Sequence, residues 1–224
     1  RILVEPVGEV LSLAVLKELV DARAARRSVA YEVDLKSGAR RIVRDGYQER
    51  FAMDRSGFEA GDDVFVAIHN PPLRLVVIGA VHKSQALVPM ARIAGYDPFI
   101  VDPREAFGSA ARFPGEKIVA DWPDDALAQI GVDSRTAVVL LTHDPKLDDP
   151  ALEIALKSSC FYIGALGSTR THAKRVSRMT DAGFSEAEIV HIHGPIGLDI
   201  GSSGPPEIAV SILAEMTRVL RRGA

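Results

Sequence analysis

The chain has 224 residues and a mass of 24.1 kDa, room for one full domain and a small second one. Hydrophobic residues make up 47% and charged residues 25%, a globular make-up, and the net charge of −3 argues against non-specific nucleic-acid binding, which needs a basic surface. The single cysteine, Cys160, excludes an intramolecular disulfide and a cysteine-built metal cage, no apolar stretch reaches the ~18 residues of a membrane span, and the opening Arg1 without a leader reads as a cytoplasmic chain trimmed at its start.

Apolar residues at near-helical spacing over 10–20 predict an amphipathic helix. Two runs rich in β-branched residues, 29–35 and 39–43, flank Lys36, Ser37 and Gly38, the composition of a hairpin turn. A polar stretch with three glycines over 46–63 leads into the apolar run 64–68. Asn70, Pro71 and Pro72 then break any regular element, so a small α+β domain over 1–70 is expected, followed by a second domain over 73–224.

After Pro72, compact apolar runs alternate with segments of helical period. The runs are 73–78, 98–101, 117–120, 137–141 and 161–163; the helices are 84–94, 124–130, 150–157 and 169–182. The runs lack period-two alternation, as strands covered on both faces do, so a doubly wound, mostly parallel, Rossmann-like sheet follows. Asp148, Asp149 and Pro150 look like a helix start, Ser185 and Glu188 form a capping box, and a last helix begins near Pro206 with Ile208, Ile212 and Met216 on one stripe.

Chemistry is expected where these strands end. Gly79, Ala80, Val81, His82, Lys83 and Ser84 occupy the place of a phosphate loop, although only Gly79 of the three glycines in a dinucleotide fingerprint is present. Asp102, with Arg104 behind it, stands where an acidic residue binds a ribose hydroxyl; equally, Asp102 and Pro103 could simply turn the chain. Thr142, His143 and Asp144 end the fourth run at the ligand crevice, where turn chemistry explains Asp144 and Pro145 as well as a contact or proton carrier would. Gly164, Ala165, Gly167 and Ser168 lead into a helix bearing Arg170, a combination suited to an anion. A loop carrying His191, His193, Gly194, Gly197, Asp199 and Gly201 is too dense in glycine for an ordinary connection, but its histidines lack a firm third ligand, so no metal site is assigned. Cys160 reads as a small buried hydrophobe.

In this order these pieces resemble the xanthine dehydrogenase accessory protein family, of the XdhC/CoxI type. The resemblance rests on residues 79–87, 101–104, 112–114 and 141–148, and above all on the long segments 162–168 and 193–201. Val81 departs from it, standing where the family has a second glycine, and an N-terminal glycine-rich cysteine motif is missing before Leu73. The resemblance implies a carrier rather than a catalyst. Such a chaperone binds and protects the molybdenum cofactor, a molybdopterin, aids its sulfuration and hands it to a molybdenum hydroxylase apoenzyme such as xanthine dehydrogenase. A homodimer and a cysteine desulfurase partner are implied on the same ground. The cofactor-binding residues expected are Gly79, Ala80, His82, Ser84, Asp102, Arg104, Thr142, His143, Asp144, Gly164, Ala165, Gly167, Ser168, Arg170, His193, Gly197, Asp199 and Gly201. Two rivals come from other classes: an NAD(P)-dependent oxidoreductase, suggested by Gly79 and Asp102, and a metal-dependent hydrolase using His143, His191 and His193.

Overall fold

A computed structural model describes residues 2–223 and divides the chain into two compact units, one ending at Pro71 and the other beginning at Pro72.

The first unit contains α1 (Leu13–Ala24), β1 (Val29–Asp34), β2 (Arg40–Val43), α2 (Gln48–Met53), β3 (Gly57–Phe58) and β4 (Val64–His69). Its four strands form an antiparallel sheet in the order β2-β1-β4-β3, so the hairpin expected from sequence is half of a larger sheet completed by the 64–68 run as β4 and by β3 from the preceding polar stretch. The first helix starts at Leu13, not at Val10, because the Ser12 hydroxyl accepts the Val15 amide and fixes the start there. Leu19, Ala22, Val29, Tyr31 and Val33 form this unit's own small core.

The second unit runs β5 (Leu73–Ile78), α3 (His82–Ile93), β6 (Tyr96–Val101), β7 (Lys117–Val119), α4 (Pro123–Ile130), β8 (Thr136–Leu140), α5 (Pro145–Leu156), β9 (Tyr162–Ala165), α6 (Thr169–Asp181), α7 (Glu186–Ile189), β10 (Ile192–His193) and α8 (Pro205–Arg222). Its six strands are all parallel, in the order β10-β9-β8-β5-β6-β7. The chain winds outward from β5 to β7, returns to the other side of β5 and winds outward again. This is the doubly wound order in which ligands sit where the winding reverses, here between the carboxyl ends of β5 and β8.

Both sheet faces are sealed. Leu75, Val77, Val139 and Tyr162 point towards α3 and α8, while Val76, Ile78, Val138, Leu140 and Ile163 point towards α4, α5 and α6. Covered faces explain the unbroken apolar runs, each buried Val, Leu or Ile contributing roughly 1.5–3 kcal/mol.

Two helix boundaries differ from expectation. Helix α5 starts at Pro145, with the Asp144 carboxylate accepting the Lys146 amide at 3.0 Å, so Pro150 lies inside the helix and not at its first position. Helix α3 starts at His82, two residues early, because Ser84 is drawn into the first turn by its hydroxyl. The segment 192–193, expected as loop, pairs with β9 as the sheet's sixth strand.

Candidate functional site

At the end of β5, Gly79 has φ +106°, and a Cβ there would lie 2.5 Å from Thr142 Cγ2. Only glycine lets the two turns at the winding reversal pack this closely. The rest of the first turn is occupied internally. The Ala80 amide donates to Asp102 Oδ2 at 2.9 Å, the Val81 amide to Ser84 Oγ at 3.3 Å, and the Ser84 hydroxyl to the Gly79 carbonyl. His82, next along, is exposed at the helix start.

Asp102 is fully buried, and both of its oxygens are taken. Oδ1 accepts the Arg104 amide (3.0 Å) and Nε (2.8 Å); Oδ2 accepts Arg104 Nη2 (2.8 Å) and the Ala80 amide. Burial alone would raise its pKa, but the guanidinium and the two amides outweigh that and hold it below the ordinary carboxylate range. No acceptor position on Asp102 remains for a ribose hydroxyl. Arg104 is further fixed by stacking on Phe107, 4.3 Å from the ring centre.

Beside this turn lies a cleft of about 430 Å³ lined by Val81, Arg104, Leu141, Thr142, His143, Asp144 and Pro145. His143 is exposed on it, whereas Thr142 is buried and donates its hydroxyl to Asp148.

At the end of β9, Gly164 and Ala165 are buried in the strand, and Gly167 turns the chain with φ +145°. A Cβ on Gly167 would lie 2.8 Å from Thr171 Cγ2. The Ser168 hydroxyl caps α6 by accepting the Thr171 amide at 3.2 Å, and Arg170 stands exposed in the first helical turn. Residues 194–201 run against the middle of α8, at Ser211 and Glu215. There Pro195, Ile196, Gly197, Leu198, Asp199, Ser202, Ser211 and, from α6, Thr169 enclose a second cleft of about 440 Å³. Asp199 accepts the amide of Gly201, which has φ +74°.

Residues 75–216 match the XdhC Rossmann domain family, which is well over half of the chain. The chain belongs to this family. The resemblance carried by segments 162–168 and 193–201 is therefore borne out. The XdhC-family chain is 33% identical over 172 residues to the molybdenum cofactor insertion chaperone PaoD of Escherichia coli, covering 77% of this chain and 46% of that protein. It is 29% identical over 168 residues to a protein of Bacillus subtilis named as a probable component of xanthine dehydrogenase, covering 75% and 49%. A crystal structure described as a xanthine dehydrogenase from Bacillus halodurans superposes with a TM-score of 0.68 at 25% identity, over 94% of this chain and 66% of that one. The chain thus spans about half the length of these two curated relatives.

The candidate site of this XdhC domain is braced by buried charges that sequence reasoning passed over. Glu215 on α8 is 6% exposed and accepts the Tyr162 hydroxyl at 2.7 Å and the Gly197 amide at 2.8 Å; its other oxygen lies 3.4 Å from His193 Nδ1. His193 stacks on Tyr162 with ring centres 4.8 Å apart. His193 is therefore held inward, beneath the glycine-rich loop. Burial would raise the Glu215 pKa, yet His193, Tyr162 and Gly197 bring it down to about 2. Burial, followed by the Glu215 contact, pushes Tyr162 well above the ordinary tyrosine range.

A second buried group joins the β8 and β9 ends. Arg175 on α6 is 1% exposed, donates to the Leu166 carbonyl at 2.8 Å and lies 3.7 Å from Asp148 Oδ2. Burial raises the Asp148 pKa against the opposing pull of Thr142 and Arg175. Signals for both groups were weak: Glu215 and Arg175 sit within helices whose charged residues read as solvated faces.

Among the described residues, no group of three or more His, Cys, Asp or Glu side chains is placed to hold a metal ion. His143 lies at the end of β8, His191 is exposed before β10 and His193 is tied to Glu215, so the three histidines of the hydrolase reading are not brought together around a metal. No described helix is long and apolar enough to cross a membrane.

Proposed function

We propose that this chain is an accessory protein of molybdenum-hydroxylase maturation that binds the molybdenum cofactor in the cleft between α6 and the 194–201 loop, shields it and passes it to a xanthine dehydrogenase-type apoenzyme. The observation that carries this reading is the composition of that cleft. Its volume of about 440 Å³ lies in the range of small-molecule pockets. Apolar Pro195, Ile196 and Leu198 offer faces for a flat pterin, while Thr169, Asp199, Ser202 and the backbone of Gly197 offer polar edges. The amino end of α6, with Arg170 in its first turn and no acidic residue there, suits a terminal phosphate. The bound group supplies a molybdenum dithiolene centre to the recipient enzyme. The role of this chain's own residues is to bind, orient and exclude water, as expected of a carrier and not a catalyst.

The names of the relatives support this reading, PaoD above all. A cysteine desulfurase partner and a homodimer rest on the family resemblance, a cytoplasmic location on the single cysteine, which suits a reducing compartment, and all belong to the same proposal. The NAD-dependent alternative is disfavoured because Asp102 has no acceptor to spare and the Ala80 and Val81 amides are already bonded.

The test is anaerobic loading with released cofactor, followed by fluorescence of the oxidised pterin. Wild type is expected to retain pterin. Arg170→Ala should bind about ten- to a hundredfold more weakly, the loss of one charge-assisted contact of roughly 1.5–3 kcal/mol, with an unchanged thermal midpoint. Absence of pterin on wild-type protein would sink the reading.

A further inference from the structure

Asp102 and Arg104 do more than close the β6 end. In a doubly wound nucleotide fold this position chooses the ribose: a free carboxylate takes the diol, and an arginine takes a phosphate. Here the carboxylate is spent. Its oxygens accept four hydrogen bonds, three of them from Arg104 itself. What lines the cleft is Arg104, its side chain 38% exposed and its guanidinium held by the buried Asp102 on one edge and by Phe107 on one face. Its Nη1 has no partner among the described residues, so two N–H groups there and the second on Nη2 remain on a fixed plane to meet a phosphate. The cleft's other acid, Asp144, caps α5 with one oxygen on the Lys146 amide, and its charge also acts on Arg104. Val81, the cap of α3, also lines the cleft, so the positive end of a 12-residue helix adjoins it.

We infer that the 430 Å³ cleft at the β5/β8 reversal is a second subsite, selective for a dianionic phosphomonoester, with Arg104 as its anchoring residue and the Asp102–Arg104 pair as the device that rejects an unphosphorylated ribose. This goes beyond the pterin reading and does not depend on it. Apolar Val81, Leu141 and Pro145 give the cleft room and surface for a group larger than free phosphate. A nucleoside phosphate should therefore bind more tightly than the inorganic ion.

The experiment is titration calorimetry of the full chain with adenosine 2′-monophosphate, inorganic phosphate and adenosine. The nucleoside phosphate is expected to bind, phosphate alone to bind more weakly and compete with it, and adenosine not to bind. If adenosine binds as well as its phosphate, or if wild type binds neither phosphate ligand at about 10 mM, the inference is overturned. Because Arg104→Leu strands the buried Asp102 charge and can fail to fold, the companion variant is Asp102→Asn/Arg104→Leu, which removes both charges. Whichever variant folds should lose at least about tenfold in affinity for the nucleoside phosphate. Unchanged affinity in a folded variant would also overturn it. Because the pterin's terminal phosphate is itself a phosphomonoester, pterin loading is measured on the folded Arg104 variant and nucleoside-phosphate binding on Arg170→Ala, so the two readings fail independently.

Discussion

Replacing Glu215 by Gln tests whether one buried carboxylate holds the glycine-rich loop in place. In the native protein its pKa is about 2, against an ordinary value of 4.5. At about 1.36 kcal/mol per pH unit, that difference gives roughly 3 kcal/mol of stability at pH 7. The sign follows from the direction. A carboxylate whose pKa is lower folded than unfolded stabilises the fold above the unfolded value and loses that contribution as pH falls through the folded one. The wild-type advantage over Glu215→Gln should therefore be about 3 kcal/mol at pH 7, roughly 1.5 kcal/mol at pH 3 and close to nothing near pH 1. The contribution comes from the His193, Tyr162 and Gly197 contacts, and the glutamine amide can replace only part of that acceptor set. Urea unfolding followed by far-ultraviolet circular dichroism at pH 7 and pH 3 gives the two differences directly. A difference below about 1 kcal/mol at pH 7, or one that does not shrink with acid, would refute the account.

Gly197→Ala should cost about 3 kcal/mol or more and abolish pterin loading, since φ is +91° and the new Cβ would sit 2.4 Å from Ser211 Oγ; urea unfolding and the loading assay check both. Asp148→Asn leaves the Arg175 guanidinium buried without its counter-ion and should destabilise by about 3–5 kcal/mol, read as a drop in the urea midpoint at constant slope. Cys160→Ala should change stability by about 1 kcal/mol or less and leave loading intact, because burial pushes the thiol pKa up and the sulfur's contact with the Ala155 carbonyl is a weak one at 3.5 Å. Normal stability with failed sulfuration in that variant would reassign Cys160 to chemistry.

The doubly wound sheet was legible because its strands are buried on both faces. Runs such as 73–78 and 137–141 are too short for buried helices, and glycines or Asp-Pro pairs mark the ends of such runs. Strand β10 was not legible, because a two-residue strand has no period to read. Its existence depends on Ile192 and His193 meeting Ile163 and Gly164, residues far off in sequence. The start of α5 was misplaced for a different reason. Asp144-Pro145 and Asp149-Pro150 carry the same cap-then-proline signal, and the sequence does not say which aspartate reaches the second amide behind it.

The same distinction separates what could be read of the clefts from what could not. The glycines at 79, 167, 197 and 201 were visible because positive φ restricts residue identity at the position itself. The groups that decide what the glycines are for act across distance. Glu215 reaches Gly197 from eighteen residues away, and Arg175 reaches Leu166 from two turns down its helix. Asp102 shows how far this matters. Its place at the end of the second strand of the parallel sheet invites a ribose, and a neighbour two residues on, Arg104, closes that possibility by filling its acceptors. Position in a fold therefore indicates where a ligand meets the protein, while the hydrogen-bond count of each polar atom indicates which chemistry is left to meet it.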